Sequence, residues 1–140
     1  MKSAFMTAVV LGIGAFGLAA CEKDIKAPFD RGVCYVVDLS DEEGAEPVFN
    51  RVADNQPQIE FCAARLEEVR TRFLNLGGNR TELVGAYQGS FLFLDQTGVR
   101  RAQSLNGTRY FMMARTGDGR LAVPGTIEQR PAAPAPAPAP

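Results

Sequence analysis

Residues 57–76 read PQIEFCAARLEEVRTRFLNL, and this stretch decides the fold class. Cys62, Leu66, Val69, Phe73 and Leu76 recur at steps of four, three, four and three, the spacing of one face of an α-helix. Arg65, Glu67, Glu68, Arg70, Arg72 and Asn75 cover most of the remaining surface, so Glu67 and Glu68 read as exposed face rather than as paired catalysts. Asp54 or Asn55 can cap the start, with Pro57 in the first turn, and Gly77-Gly78 ends the helix.

One amphipathic helix must lay its apolar stripe on something, and the flanking chain offers strands. Upstream, Val33-Cys34-Tyr35-Val36-Val37-Asp38-Leu39 is rich in β-branched and aromatic residues. Both of its faces are mostly apolar, which predicts a central place in a sheet. Val48–Ala53 reads as a second strand or a short helix. Downstream, Leu83–Tyr87, Ser90–Asp95, Val99–Ser104, Arg109–Arg115 and Leu121–Val123 alternate with turn signals, among them Asn106-Gly107 and Gly117-Asp118-Gly119. The expectation is an α+β domain: a small antiparallel sheet, a meander, with one helix packed on it. Phe91, Phe93, Tyr110 and Phe111 fall on these strands, and a domain of this size needs most such aromatics in its core. Any left on an open face would form an apolar patch of the kind that marks a partner surface.

The two ends of the chain are of different character. Met1-Lys2 is followed by an uncharged, largely apolar run, and the first acid is Glu22. The run is shorter than the roughly 20 apolar residues a bilayer span requires and has the proportions of a secretory signal. It closes on Leu18-Ala19-Ala20-Cys21, which resembles the lipobox of bacterial lipoproteins. The resemblance covers residues 1–21 alone. It implies a diacylglyceryl group on the Cys21 thiol, cleavage before Cys21, acylation of the new amino terminus and a membrane anchor. Two or more acyl chains hold firmly, at about 0.8 kcal/mol per buried methylene. Sorting in the family also turns on the next residue, and Glu22 in place of Asp implies the outer rather than the inner membrane. The expected organisation is therefore a signal peptide at 1–20, a lipidated tether at 21–29, one domain at 30–128 and a tail at 129–140. The tail reads PAAPAPAPAP at its end; Pro-Ala alternation cannot build a core and favours an extended chain, so the expectation is a disordered, solvated tail, with a spacer reaching toward the cell wall or a partner protein as the rival.

With Cys21 taken by lipid, Cys34 and Cys62 remain as an even pair in an exported chain, and a disulfide is the favoured reading. It would contribute roughly 3.5 kcal/mol through loop entropy, less any native strain. Two buried free thiols or a metal pair are the rivals, although the chain has no histidine to complete a zinc site.

Chemistry is otherwise sparse. Without histidine there is no Ser-His-Asp or Cys-His constellation, no P-loop occurs, and no dinucleotide fingerprint occurs. Asp38, Asp41, Glu42, Glu43 and Glu46 have the oxygens calcium favours but not EF-hand spacing, and read as a solvated acidic loop. Hence no catalytic residue, metal or cofactor is expected. The sequon matches at Asn79 and Asn106 have no expected role in a bacterial lipoprotein. Residues 22–60 are strongly acidic and residues 97–130 strongly basic. These halves are expected to face one another or be solvated, the alternative being a cationic surface for lipid head groups or another anionic envelope polymer. The mature chain lies near about −2, so no global field points to nucleic acid. The expected function is a membrane-anchored, periplasm-facing lipoprotein that binds an envelope protein without catalysis, as adaptor, assembly subunit or inhibitor. The alternative is a small enzyme or binding lipoprotein using carboxylates and arginines on an anionic or sugar ligand.

Overall fold

The computed structural model describes residues 24–42 and 44–124; residues 1–23, on which the expected signal peptide and lipid-bearing Cys21 fall, Glu43, and residues 125–140 with the Pro/Ala tail lie outside the described residues. Seven strands and one helix follow in the order β1 (Cys34–Asp38), β2 (Val48–Ala53), α1 (Ile59–Asn75), β3 (Leu83–Tyr87), β4 (Ser90–Leu94), β5 (Gly98–Ala102), β6 (Tyr110–Arg115) and β7 (Leu121–Ala122). They form one antiparallel sheet ordered β2-β1-β3-β4-β5-β6-β7, with α1 as the crossover from the β1–β2 hairpin to the β3–β7 meander. This is the α+β fold expected. Val48–Ala53, open between strand and helix in sequence, is an edge strand on β1. No helix among the described residues is long and apolar enough to cross a membrane.

The helix starts and faces differently from the sequence expectation. Neither Asp54 nor Asn55 caps it: the N-cap is Gln58, without a side-chain cap bond. Asn55 instead adopts a left-handed turn (φ 53°), after which the Gln56 N–H donates to the Gly32 carbonyl at 2.9 Å. The turn ties the chain to the start of β1 before it can enter the helix. The other end is as expected. Gly77 takes φ 88°, its N–H donates to the Leu74 carbonyl, and the Gly78 N–H donates to the Phe73 carbonyl. These are the two bonds of a Schellman motif.

The buried stripe runs Cys62, Ala63, Leu66, Arg70. It does not continue to Phe73 and Leu76, which are 42% and 82% exposed. The i, i+4 row through positions 62, 66 and 70 meets the sheet, and the Phe73 ring turns onto Gly78, where a Cβ would lie 2.1 Å from it. The helix face of the sheet adds Tyr87, Leu92, Leu94, Val99 and Met113 to this core. A disulfide joins Cys34 of β1 to Cys62 of α1 with the Cα atoms 5.4 Å apart, inside the range such a bond requires.

The opposite face is also buried. It collects Val33, Tyr35, Val37, Val84, Ala86, Phe91 and Phe93, with Phe49 of the edge strand packed on them. Strands β2 and β4 are separated by β1 and β3, so perpendicular side chains on a flat sheet would stand about 14 Å apart. The Phe49 and Phe91 ring centroids are 6.3 Å apart. The sheet therefore curls away from the helix and closes on itself around this second core. Ile25 and Ala27 plug it from outside, and the Gly89 N–H donates to the Pro28 carbonyl at 2.8 Å. The segment read in sequence as part of a free tether thus lies on the sheet from Ile25 onward.

Cys34→Ala and Cys62→Ala should each destabilise the domain by about 2–5 kcal/mol, and the double variant should cost little more than either single one, because both remove the same bond. Urea denaturation of the three proteins measures this, and additive losses would refute the common cause.

Candidate functional site

Two of the aromatics raised in sequence, Phe91 and Phe93, are core residues, 0% and 1% exposed. The other two are not: Tyr110 is 67% and Phe111 51% exposed. Their place is set by a register shift between Val99 and Arg100, where β6 pairs Met113 with Val99 but Phe111 with Arg100. The extra residue, Met112, lets β6 bend with the curl while Met113 still reaches the helix-side core.

Three basic residues of the last third pair outside the acidic first part. Arg100 meets Asp95 at 2.6 Å, Arg109 meets Glu82 at 2.8 Å and Arg115 meets Glu67 at 2.9 Å. Each joins an element to a near neighbour. Asp95 closes the β4–β5 turn. Burial acts to raise its pKa, but hydrogen bonds from the Thr97 hydroxyl and N–H and from Arg100 outweigh that and hold the carboxyl at about 2. Arg109 lies over the Phe93 ring, 3.6 Å from its centroid, so its cation caps the second core as well as binding Glu82.

Glu67 and Arg70 are the residues that sequence reasoning assigned wrongly, as solvated helix surface. The Glu67 side chain is 18% and the Arg70 side chain 8% exposed. Glu67 accepts from Arg70 on one oxygen and from Arg115 on the other. Arg115 also donates to the Asp95 carbonyl from Nε and Nη2, at 3.1 and 2.9 Å. One carboxylate thus holds two guanidiniums beneath the helix. The Arg70 Nε is buried and has no hydrogen-bond partner. The legible signal was the i, i+4 row from Cys62 through Leu66 to position 70, overridden in sequence by the charge of the residue there.

Arg70 lines a hollow of about 410 Å³ between the second half of α1 and the ends of β1 and β3, with Asp38, Arg80, Glu82 and Phe73. Arg80 reaches Asp38 at 3.7 Å across an exposed edge of it. Two cations and two carboxylates converge there on an apolar floor that includes Val36, Val69 and Leu83. Such a site can orient a small anion or polyol. A second hollow, about 700 Å³, runs between α1 and the β6–β7 hairpin and includes Ala64, Thr71, Leu76, Met113 and Leu121. Among the described residues no group of three or more cysteines and acids is gathered to hold a metal ion, the described part of the Asp38–Glu46 loop included.

Glu67→Ala should destabilise the fold by about 3 kcal/mol, because it strands a buried guanidinium. Glu68→Ala should cost no more than about 0.5 kcal/mol, since its Arg65 partner is 55% exposed. Denaturant midpoints compare them directly, and equal losses would show that Glu67 is not a buried anchor. Compared with known proteins, the chain matches no family model, no curated protein and no solved structure.

Proposed function

We propose that this protein is a lipid-anchored component of the bacterial envelope that acts by binding another envelope protein rather than by catalysis. The observation that carries the proposal is Leu18-Ala19-Ala20-Cys21 at the close of a signal-like apolar run. The disulfide between Cys34 and Cys62 supports it, because such bonds persist in oxidising compartments outside the cytosol. Binding without catalysis is supported by apolar side chains left in water along α1, Phe61, Phe73 and Leu76. Glu22 after the lipid-bearing cysteine favours the outer membrane as the destination.

A second reading is favoured by one observation, the convergence of Arg70 and Arg80 on a single hollow with the Arg70 Nε unpartnered. In it, the anchored domain captures a small anion. Inorganic phosphate should then raise the melting temperature saturably, and Arg80→Ala, at an exposed position, should abolish the rise without unfolding the protein. A rise that is linear in phosphate and unchanged in the variant is an ionic-strength effect and removes this reading.

For the anchor, mass spectrometry of the mature amino terminus should find a diacylglyceryl group on Cys21, and Cys21→Ala should leave unacylated protein that no longer partitions into detergent. An unmodified peptide beginning elsewhere would refute the anchor. Sedimentation with inner-membrane markers would refute the destination alone.

A further inference from the structure

We infer that the end of the domain carrying Phe29, Lys26 and Arg101 rests on the lipid surface, with the Phe29 ring inserted at the boundary of headgroups and acyl chains. The inference rests on the proposed lipidation of Cys21.

Three residues, Glu22, Lys23 and Asp24, separate Cys21 from Ile25. Ile25 and Ala27 are packed on the sheet, and the Pro28 carbonyl is bonded to the Gly89 N–H. From Cys21 to Ile25 the chain can therefore span no more than about 14 Å, the length of four fully extended residues. The 17-residue helix alone is about 25 Å long. A leash shorter than the domain does not let the body tumble freely over the bilayer. It keeps the docking point of Ile25 as the near pole.

What stands at that pole follows from strand register. Cys34 pairs with Tyr87, Phe91 with Ala102 and Arg101 with Tyr110, so the start of β1, the β3–β4 turn, the end of β5 and the start of β6 share one end of the sheet. Asp38, Leu83, Leu94 and Arg115 lie at the other end, with the C-terminus of α1. At the near end Phe29 is 80% exposed, its ring against Gly89. It shares one hollow with Lys26, Gly89 and Arg101. Gly89 has φ 76°, and a Cβ there would lie 2.7 Å from the Phe29 ring, so the ring rests where only a glycine leaves it room. Tyr110, 67% exposed, stands at the same end. Aromatic rings flanked by cations are the composition of a surface that lies in the interface of an anionic bilayer. Asp24, Asp30, Asp54 and Glu60 are also at this end, against Lys26, Arg31, Arg51 and Arg101, so the charges balance and the contact rests on the aromatic rings rather than on net charge.

The chain has no tryptophan, so an introduced one reports from a single place. The lipidated Phe29→Trp protein, in vesicles of phosphatidylethanolamine and phosphatidylglycerol, should emit at shorter wavelength than in detergent-free buffer as the soluble domain. Brominated acyl chains should quench it several-fold more than they quench Leu76→Trp, placed at the far end and 82% exposed. Both positions are exposed enough that the substitutions leave the core untouched, which matching melting temperatures would verify. Lipid-bearing, vesicle-bound protein in which the Phe29→Trp emission is as water-like and unquenched as that of Leu76→Trp would overturn the orientation and leave the anchor standing. Protein that carries no lipid and floats free of the vesicles would overturn the anchor, and the orientation with it.

Discussion

Everything else in the fold is hung from the close crossing of α1 over β1 and β3. Leu66 is fully buried directly above Gly85, where a Cβ would come within 2.2 Å of the Leu66 side chain and 3.0 Å of the Tyr35 carbonyl. The absence of a side chain at that one point lets the helix sit down on the sheet. The Cys34–Cys62 bond pins the same crossing a short distance away. The pairing of β1 with β3 closes a loop that contains β2 and the whole helix, so its entropy cost is the largest in the topology. The helix contact, the disulfide and the β1–β3 bonds offset that cost together. Once β1 and β3 are joined, every later strand pairs with its predecessor through a short turn.

A single helix covers only one face of a seven-stranded sheet, and the second face could have been left open. The curl resolves this. By bringing Phe49 of β2 over Phe91 of β4, the sheet uses its own edge strand as the cover. Residues 25–28 and the Arg109 guanidinium over Phe93 fill the remaining gap. The bulge in β6 belongs to the same solution, since a bent strand can follow the curl without turning Met113 out of the helix-side core. The Arg109 cation can close this edge because one side of it lies on the ring while the other stays partly in water and reaches Glu82.

Much of this was legible in the sequence because most elements announce themselves by period. The 3.6-residue repeat of 57–76 and the two-faced apolar run of 33–39 placed the helix and the central strand. The turn residues cut the meander at nearly the right positions. Three things were not legible. Val48–Ala53 is an edge strand with exposed residues on both faces, so it carries no alternation to read. The helix face was read as drifting to Phe73 and Leu76, whereas the buried row ends in Arg70, because a charge buried by pairing looks like a solvated one until its partner is known. That partner network joins Arg70 through Glu67 to Arg115, a residue 48 positions further along the chain from Glu67. Residues 25–28 were missed for the opposite reason. They are short, polar in part and contain Pro28, and only the curl of the sheet creates the surface on which Ile25 and Ala27 pack.

The charge asymmetry of the chain changes meaning once folded. Arg100, Arg109 and Arg115 are used up on Asp95, Glu82 and Glu67, so among the described residues the basic last third makes no broad cationic face. The acidic β1–β2 loop is left at one end of the molecule and a balanced set of charges, Lys26, Arg31 and Arg101 among them, at the other. Such a dipole invites the conclusion that an anionic bilayer orients the domain by repelling the acidic loop. Magnitudes argue otherwise. At physiological ionic strength the screening length is about 8 Å, whereas the loop stands roughly a helix length, about 25 Å, from the near pole. Its repulsion is spent before it reaches the lipid. The near charges, Asp24, Asp30, Asp54 and Glu60 against Lys26, Arg31, Arg51 and Arg101, cancel and contribute little net attraction to an anionic surface. The proposed contact would therefore depend on what no salt can screen: a leash from Cys21 too short to let the domain turn over, and a phenylalanine exposed beside the β3–β4 turn.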